Sequence, residues 1–373
     1  MTGVQTCALP IFISAVLLVF ALLAASVARG SQSSPYRPLT AEVTNFRETG
    51  HYEEVERQCR DWARRHPQWV KCESIGRSAE GRNIRALIIS KGAGLIPHPR
   101  QDRPVVLLIG GTHAGEIDGK DAGLILLRQL LESTASNNPL QHLTVVFVPV
   151  FNVDGHENRG RHHRPNQNGP FEQGDRTTAQ RINLNRDWML AQTPEMRAML
   201  KLVQHWDPHV TIDLHVTDGI RYRHNVAISH SPLFSPDGDV QTVSDFLLHN
   251  VIGRLTRRGH APLNFYPVLN DPEDPALGMT QEVDSPRFSH VYATLRNRLG
   301  FLVEDHAWDD YATRVRTCMA TVLASVMLLP AGTVSIVTLV PSSRAKVVVP
   351  QKSKACWPST AMATRRWSIP STT

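Results

Sequence analysis

The sequence predicts an α/β fold: an open sheet with helices packed on both of its faces. Three observations predict it. Apolar runs that read as strands alternate along the chain with segments of helical period. The strand runs are nearly continuous in Val, Ile and Leu, as in strands covered on both sides. The conspicuous polar residues stand just after strands, where open α/β sheets build their sites.

In chain order, HYEEVERQCRDWARRHP is an amphipathic helix with Pro67 near its end. NIRALIIS is a strand, and RPVVLLIGG is a buried strand stopped by two glycines. DGKDAGLILLRQLLEST has apolar residues at helical spacing, and LTVVFVPVFN is another buried strand. PEMRAMLKLVQHW is a helix and HVTIDLH a strand. DVQTVSDFLLHNVIGRLTRRG is a helix ended by Gly259. LGFLVEDH is a late strand, and DDYATRVRTCMATVLASVM is the closing helix. No Gly/Ser/Pro-rich linker divides this stretch, so one catalytic domain is expected over residues 40–330.

Both ends read differently. MTGVQTCALPI resembles a translated sequencing adapter. FISAVLLVFALLAASVARG then reads as the apolar core and small-residue cleavage site of an export signal, giving a leader over residues 1–30. The expectation is an exported protein, periplasmic or secreted; the alternative is an N-terminal membrane anchor. After Asp310 no acid follows, and residues 331–373 carry six basic residues. These account for the whole net charge of +6. Read one base over from GC-rich codons, LLPAGT can give AARRH and AMATRRWSIPS can give RDGDETVEYP, so residues 331–373 are expected to be a tail that is frame-shifted, with the frame lost near Val326, or disordered. No nucleic-acid partner is therefore read from the charge, and a membrane only through an uncleaved leader. Setting aside Cys7 and Cys356 in the two ends leaves Cys59, Cys72 and Cys318. An exported compartment permits a Cys59–Cys72 disulfide; two free thiols fit the sequence equally well.

The chemistry gathers at three strand ends. GGTHAGEIDG places His113 and Glu116 three residues apart, after a strand and before a helix, in a glycine frame that lets the chain turn tightly. Alone, such a pair is more often a capping glutamate and a surface histidine. Here the strand-end context points to a metal. A catalytic zinc takes three nitrogen or oxygen ligands and a water, and His215 in TIDLHVTDG is the third candidate. Glu304 in FLVEDH is a candidate general base, while alternation along the strand sends Asp305 to the other face. NVDGHENRGRHHRPNQNGP and INLNRDWM are rich in Asn, Arg and Gly and suit recognition of anions. Arg186 and Asn185 are candidates for a substrate carboxylate and Arg164 for an oxyanion. His156, His162 and His163 read as loop residues and not as a second metal site.

Together SAEGRNIRALIIS, GGTHAGEIDGKDAG, VPVFNVDGHE, RPNQNGP, INLNRDWM, TIDLHVTDG and FLVEDHAWDDYATRVR resemble the zinc carboxypeptidases, the M14 peptidases, in family order from about Glu48 to Met319. The resemblance implies a mixed, mostly parallel eight-stranded sheet with helices on both faces. It implies one zinc on His113, Glu116 and His215, Glu304 as base, Arg164 polarising the scissile carbonyl, and Asn185 with Arg186 holding the terminal carboxylate. The HAGEIDG and NLNRD spellings look like a bacterial subgroup. Two departures stand out. Asn183 occupies a position where the digestive branch has an acid behind a metal-ligand histidine. The branch's substrate-binding tyrosine has two counterparts here, Tyr266 and Tyr292. The expected function is a metallocarboxypeptidase acting, as a monomer, on a peptide with a free carboxylate. The rivals are an N-acyl amino acid deacylase of the aspartoacylase type and an inactive peptide-binding module on the same fold.

Overall fold

A computed structural model describes residues 36–92, 95–96, 103–230 and 238–329. The chain divides into two compact units, Met1–Arg37 and Pro38–Thr373, and the elements named here belong to the second. The expected leader over residues 1–30 and the tail of residues 331–373 lie outside the described residues. No described helix is long and apolar enough to cross a membrane.

After the short helix α1 (Thr40–Val43), α2 spans Tyr52–Arg65. Acidic Glu53 and Glu54 open it and basic Arg64 and Arg65 close it, matching the helix dipole. It buries Val55, Cys59 and Trp62, which recur on one helical face. Cys59 is disulfide-bonded to Cys72, with the two Cα atoms 5.3 Å apart. Cys72 lies in β1 (Val70–Arg77), which pairs antiparallel with β2 (Asn83–Ile89).

β3 (Val105–Ile109), α3 (Asp118–Glu132) and β4 (Thr144–Val148) follow, then the short elements α4 (Val153–Glu157), β5 (Arg159–Gly160) and β6 (Gln173–Gly174). α5 (Pro194–Trp206) starts on Pro194 behind the cap of Thr193, whose hydroxyl accepts from Met196 N at 3.0 Å. Next come β7 (Val210–Val216), β8 (Val226–His230), α6 (Gly238–Arg257), β9 (Pro262–Leu263), β10 (Val268–Leu269) and β11 (Met279–Thr280). The domain closes with α7 (Ser289–Leu295), β12 (Leu299–Asp305) and α8 (Tyr311–Val326).

The main sheet has eight strands in the order β1-β2-β4-β3-β7-β12-β8-β9. Four of its seven pairings are parallel: β4–β3, β3–β7, β7–β12 and β8–β9. The expected mixed, mostly parallel sheet is therefore present. Val106, Leu108 and Val145 meet Leu126 and Leu127 of α3 and Val322 of α8 on one face, and Ile212 meets Leu247 and Val251 of α6 there. On the other face Thr211 meets Val203 of α5 and Tyr292 of α7. Along β7, residues 211, 213 and 215 therefore share the α5/α7 face.

The predicted segments that lie in the described residues recur as elements of the expected type, and PEMRAMLKLVQHW is a helix with the predicted ends. The sequence reading passed over β1, β8 and α7. β1 is rich in polar residues and half-exposed, β8 has a short apolar run, and α7 is two turns long, so none carries a clear period.

Candidate active site

Three parallel neighbours, β3, β7 and β12, end side by side at one edge of the sheet. β7 carries His215 as its penultimate residue, and β12 carries Glu304 as its own. Glu304 and His215 are register partners, so their side chains leave the sheet on the same face. From Ile109 the chain turns through Gly110 and Gly111 into the loop bearing His113 and Glu116. Gly111 has φ +58°, a left-handed conformation that a side chain disfavours.

His113, Glu116 and His215 are all buried, and one ligand atom from each lies within 4.8 Å of the others. The two Nδ1 atoms are 3.2 Å apart, His215 Nδ1 is 2.8 Å from Glu116 Oε2, and His113 Nδ1 is 3.0 Å from Glu116 Oε1. Among the described residues no other His, Cys, Asp or Glu group converges in this way.

The far nitrogens decide what the near ones offer. His113 Nε2 is 3.0 Å from Asn183 Oδ1, an oxygen that also accepts from Asn185 N at 2.9 Å. His215 Nε2 is 3.0 Å from Asp213 Oδ2, and Thr112 Oγ1 donates to the other Asp213 oxygen at 2.9 Å. Each Nε2 thus faces an oxygen, and the tautomer with its hydrogen on Nε2 leaves Nδ1 free to accept a cation. Both Nδ1 lone pairs then face each other and a carboxylate, and a cation satisfies them together. Ligands about 2.0–2.2 Å from a tetrahedral zinc stand about 3.3 Å from one another, close to the separations here. The donor set fits zinc.

The electrostatics are those of a group whose proton a bound cation would displace. Burial works against charge on Glu116, but His113 and Arg164 outweigh it and hold the carboxyl well below the usual range. Burial also opposes charge on His215, and the Asp213 carboxylate overrides it and holds the imidazole well above its ordinary value. His113, backed by a neutral amide, is lowered by burial. Burial, reinforced by Glu116 and Asp218 against the pull of His215, pushes Glu304 up to about 8.

A cavity of about 240 Å³ opens over this group, and His113, Glu116, Asn185, Arg186 and Glu304 all line it. His215 sits beneath, in contact with Glu116. The wall continues to Ser229 and Leu302, register partners on β8 and β12, and to Asp284 and Phe288. The Arg186 guanidinium stacks 4.0 Å over the Phe288 ring. Tyr266 lines the cavity, with its hydroxyl 3.3 Å from Asp218 Oδ2, whereas Tyr292 packs 5.3 Å from the Trp188 ring. Asp305 points the other way, toward Cys318 of α8, as alternation requires.

Arg164 is not on the cavity wall. Its Nη1 is 2.9 Å from Glu116 Oε1, its Nη2 donates to Val216 O and Thr217 O at 3.2 Å, and its Nε donates to Gln167 Oε1 at 3.2 Å. Every guanidinium nitrogen is engaged. The arginine that does line the cavity beside Glu116 is Arg176, one-third exposed and 3.0 Å from Glu116 Oε1. The sequence reading missed it, because the loop between Arg159 and Arg186 has no period that says which arginine turns inward. His156 is buried against Glu157 at 2.8 Å, and His162 and His163 are exposed loop residues.

A profile described as "Zinc carboxypeptidase" matches residues 55–244, just over half of the chain. The chain belongs to the zinc carboxypeptidase family. Members similar to it include an inactive metallocarboxypeptidase of Saccharomyces cerevisiae, ECM14, 33% identical over 105 residues (27% of this chain and 24% of that protein). Carboxypeptidase B of Astacus astacus is 24% identical over 106 residues (28% of this chain and 33% of that protein). The chain thus matches about a quarter to a third of the length of these relatives. A putative carboxypeptidase A from Shewanella denitrificans shares the fold at a TM-score of 0.58 and 17% identity, over 76% of this chain and 70% of that one. A Pseudomonas aeruginosa metallo-carboxypeptidase, solved with (2-guanidinoethylmercapto)succinic acid, does so at 0.53 and 17%, over 74% and 68%. These two likenesses cover about three quarters of the chain, so the shared fold extends beyond residue 244.

Proposed function

We propose that the protein is a zinc-dependent carboxypeptidase that hydrolyses the last peptide bond of a substrate with a free terminal carboxylate. One observation carries this reading. The buried His113–Glu116–His215 group and Glu304 open into the same cavity whose wall bears Asn185, Arg186 and Arg176. Zinc held by the three ligands would supply Lewis-acid polarisation of the scissile carbonyl and a water acidified toward neutrality. Glu304, on the mouth of β12, takes the proton from the attacking water and passes it to the departing amine. Arg176 donates to the oxyanion, the role first read for Arg164. Arg186 and Asn185 hold the terminal carboxylate; Asn185 is fixed for this by its oxygen, which accepts from Ser289 N at 3.1 Å. Tyr266 is the tyrosine placed to cover the bound residue. The Cys59–Cys72 disulfide supports the exported location read from the leader.

A second reading has one observation behind it: the yeast relative is named inactive. In that case the cavity binds peptide C-termini without cleaving them. Zinc-loaded protein incubated with N-blocked dipeptides, with their C-terminal amides and with N-acyl amino acids separates the readings. Cleavage of the free-acid dipeptides alone is expected. Tight binding without turnover establishes the module, and turnover confined to acyl amino acids establishes a deacylase.

A further inference from the structure

The loop residue Arg164 touches the metal-ligand group from behind, through contacts that no substrate role explains. It reaches the Glu116 carboxylate with one nitrogen and the carbonyls of Val216 and Thr217 with another. Those carbonyls immediately follow His215 at the end of β7. Its Nε is held by Gln167 Oε1, and the Gln167 amide donates to Gly115 O, the carbonyl just before Glu116, at 3.0 Å. The arginine stem lies against Gly115 so closely that a Cβ there would stand 2.7 Å from Arg164 Cγ.

We infer that Arg164, with Gln167, is a positioning residue that splints the His113–Glu116 loop to the end of β7 and so sets the affinity of the site for its metal. The inference rests on the metal-site reading proposed above. The two halves of the ligand set lie about 100 residues apart in sequence and are joined at the site by few direct bonds, among them Val216 N donating to Glu116 Oε2 at 3.2 Å. A planar guanidinium can grip a carboxylate oxygen and two carbonyls at once, which an ammonium cannot do in the same geometry. Because Arg164 fixes both the carboxylate and the backbone on either side of the gap, removing its fork lets the Glu116 oxygens and His215 Nδ1 drift apart before the metal arrives. Partners of this kind are worth about 10–100-fold in metal affinity. The placement gives Gly115 one of its two reasons to stand within HAGE: a Cβ there would meet the Gly174 carbonyl oxygen at 2.6 Å and the arginine stem at 2.7 Å.

The test uses the full chain, stripped of metal and titrated with zinc against a chelator of known affinity. Arg164→Lys keeps the charge and loses the fork. Gln167→Ala leaves the arginine and removes its brace. Arg298→Lys is the control, since Arg298 is a buried arginine paired with Asp207 at 2.6 Å outside the cavity. Arg164→Lys and Gln167→Ala are expected to bind zinc about 10–100-fold more weakly than wild type, and to shift the visible spectrum of cobalt(II)-loaded protein. Arg298→Lys is expected to lower the urea midpoint without moving either readout. If Arg164→Lys fails to fold, Gln167→Ala decides alone. Wild-type zinc affinity, or tighter binding, in both site variants overturns the splint while leaving the metal site standing. Failure of wild type itself to take up one zinc per chain overturns both.

Discussion

Glu304 stands directly across the β7–β12 ladder from His215, one residue from the end of each strand. A parallel ladder fixes that juxtaposition through the backbone, independently of any loop. The carboxyl therefore borders the metal group without belonging to it. Glu304→Gln keeps the shape and removes the proposed base. Turnover of a blocked dipeptide should fall by about 10²–10⁴-fold, while zinc stoichiometry stays at one per chain. Unchanged turnover would remove Glu304 from the mechanism.

The two histidines are backed unequally. A carboxylate, Asp213, holds His215 Nε2, and an amide, Asn183, holds His113 Nε2, each at 3.0 Å. A carboxylate behind an imidazole raises its basicity and strengthens its bond to a metal. Asn183→Asp can keep the bond to Asn185 N and should tighten zinc. Asn183→Ala should loosen it by about tenfold or more. Chelator competition on both variants measures this, and looser binding by Asn183→Asp would refute the argument.

These contrasts mark what was legible in the sequence. His113, His215 and Glu304 follow apolar strands, and a strand end constrains position so strongly that three of them converge. Asp213 was also within reach: it lies two residues before His215, and the two-residue period places both on one face. Arg164 and Arg176 were not separable. Both lie in loops, where the contacts made in three dimensions and no sequence period decide which side chain turns inward. Asn183 could be named as a departure from the family, but only the structure shows its oxygen facing His113. β1 and β8 were missed because β1 is half-exposed and polar and the apolar run of β8 stops at Ser229 and His230, so neither carries a clear apolar period.

His209 gives the fold an acid-sensitive joint away from the metal group. Its Nδ1 accepts from Val105 N at 3.2 Å, and burial pulls its pKa down to about 4. Between that value and about 6.5 the unfolded chain binds a proton that the folded one refuses. The stability from neutral His209 is therefore full above about pH 6.5 and is lost as pH falls toward 4. His156, also held at about 4 by burial, acts in the same direction. Urea midpoints taken from pH 7.5 to 4.5 should decline, and His209→Asn, which can still accept from Val105, should decline less steeply. Parallel curves for the two proteins would rule His209 out as the source.

The Cys59–Cys72 bond closes a loop of 13 residues between α2 and β1. Restricting the unfolded chain over a loop of that length is worth about 3 kcal/mol. The Cys59→Ala/Cys72→Ala double variant should unfold at lower urea concentration by that order, with zinc affinity unchanged because β1 lies at the far edge of the sheet from β7. An equal midpoint would show that the bond adds nothing to stability.

Arg176 and Arg186 line the same cavity but serve different moments of the proposed reaction, and kinetics can separate them. Arg186 is half-buried and stacked on Phe288, with its pKa lowered by burial and by the nearby charges of Arg287 and Arg176. A cation so placed is poised for an anion present in the ground state, the terminal carboxylate. Arg186→Gln should therefore raise KM for free-acid substrates and narrow their advantage over the C-terminal amides. Arg176 lines the cavity beside Glu116, where the proposed reaction would develop charge at the scissile carbonyl. Arg176→Gln should lower kcat by about 10²–10³-fold, the usual loss for an oxyanion donor, with a smaller change in KM. Steady-state constants for both variants on a matched acid and amide pair give the readout. If Arg176→Gln instead raises KM alone, Arg176 belongs with Arg186 in carboxylate binding, and the oxyanion is left to the metal.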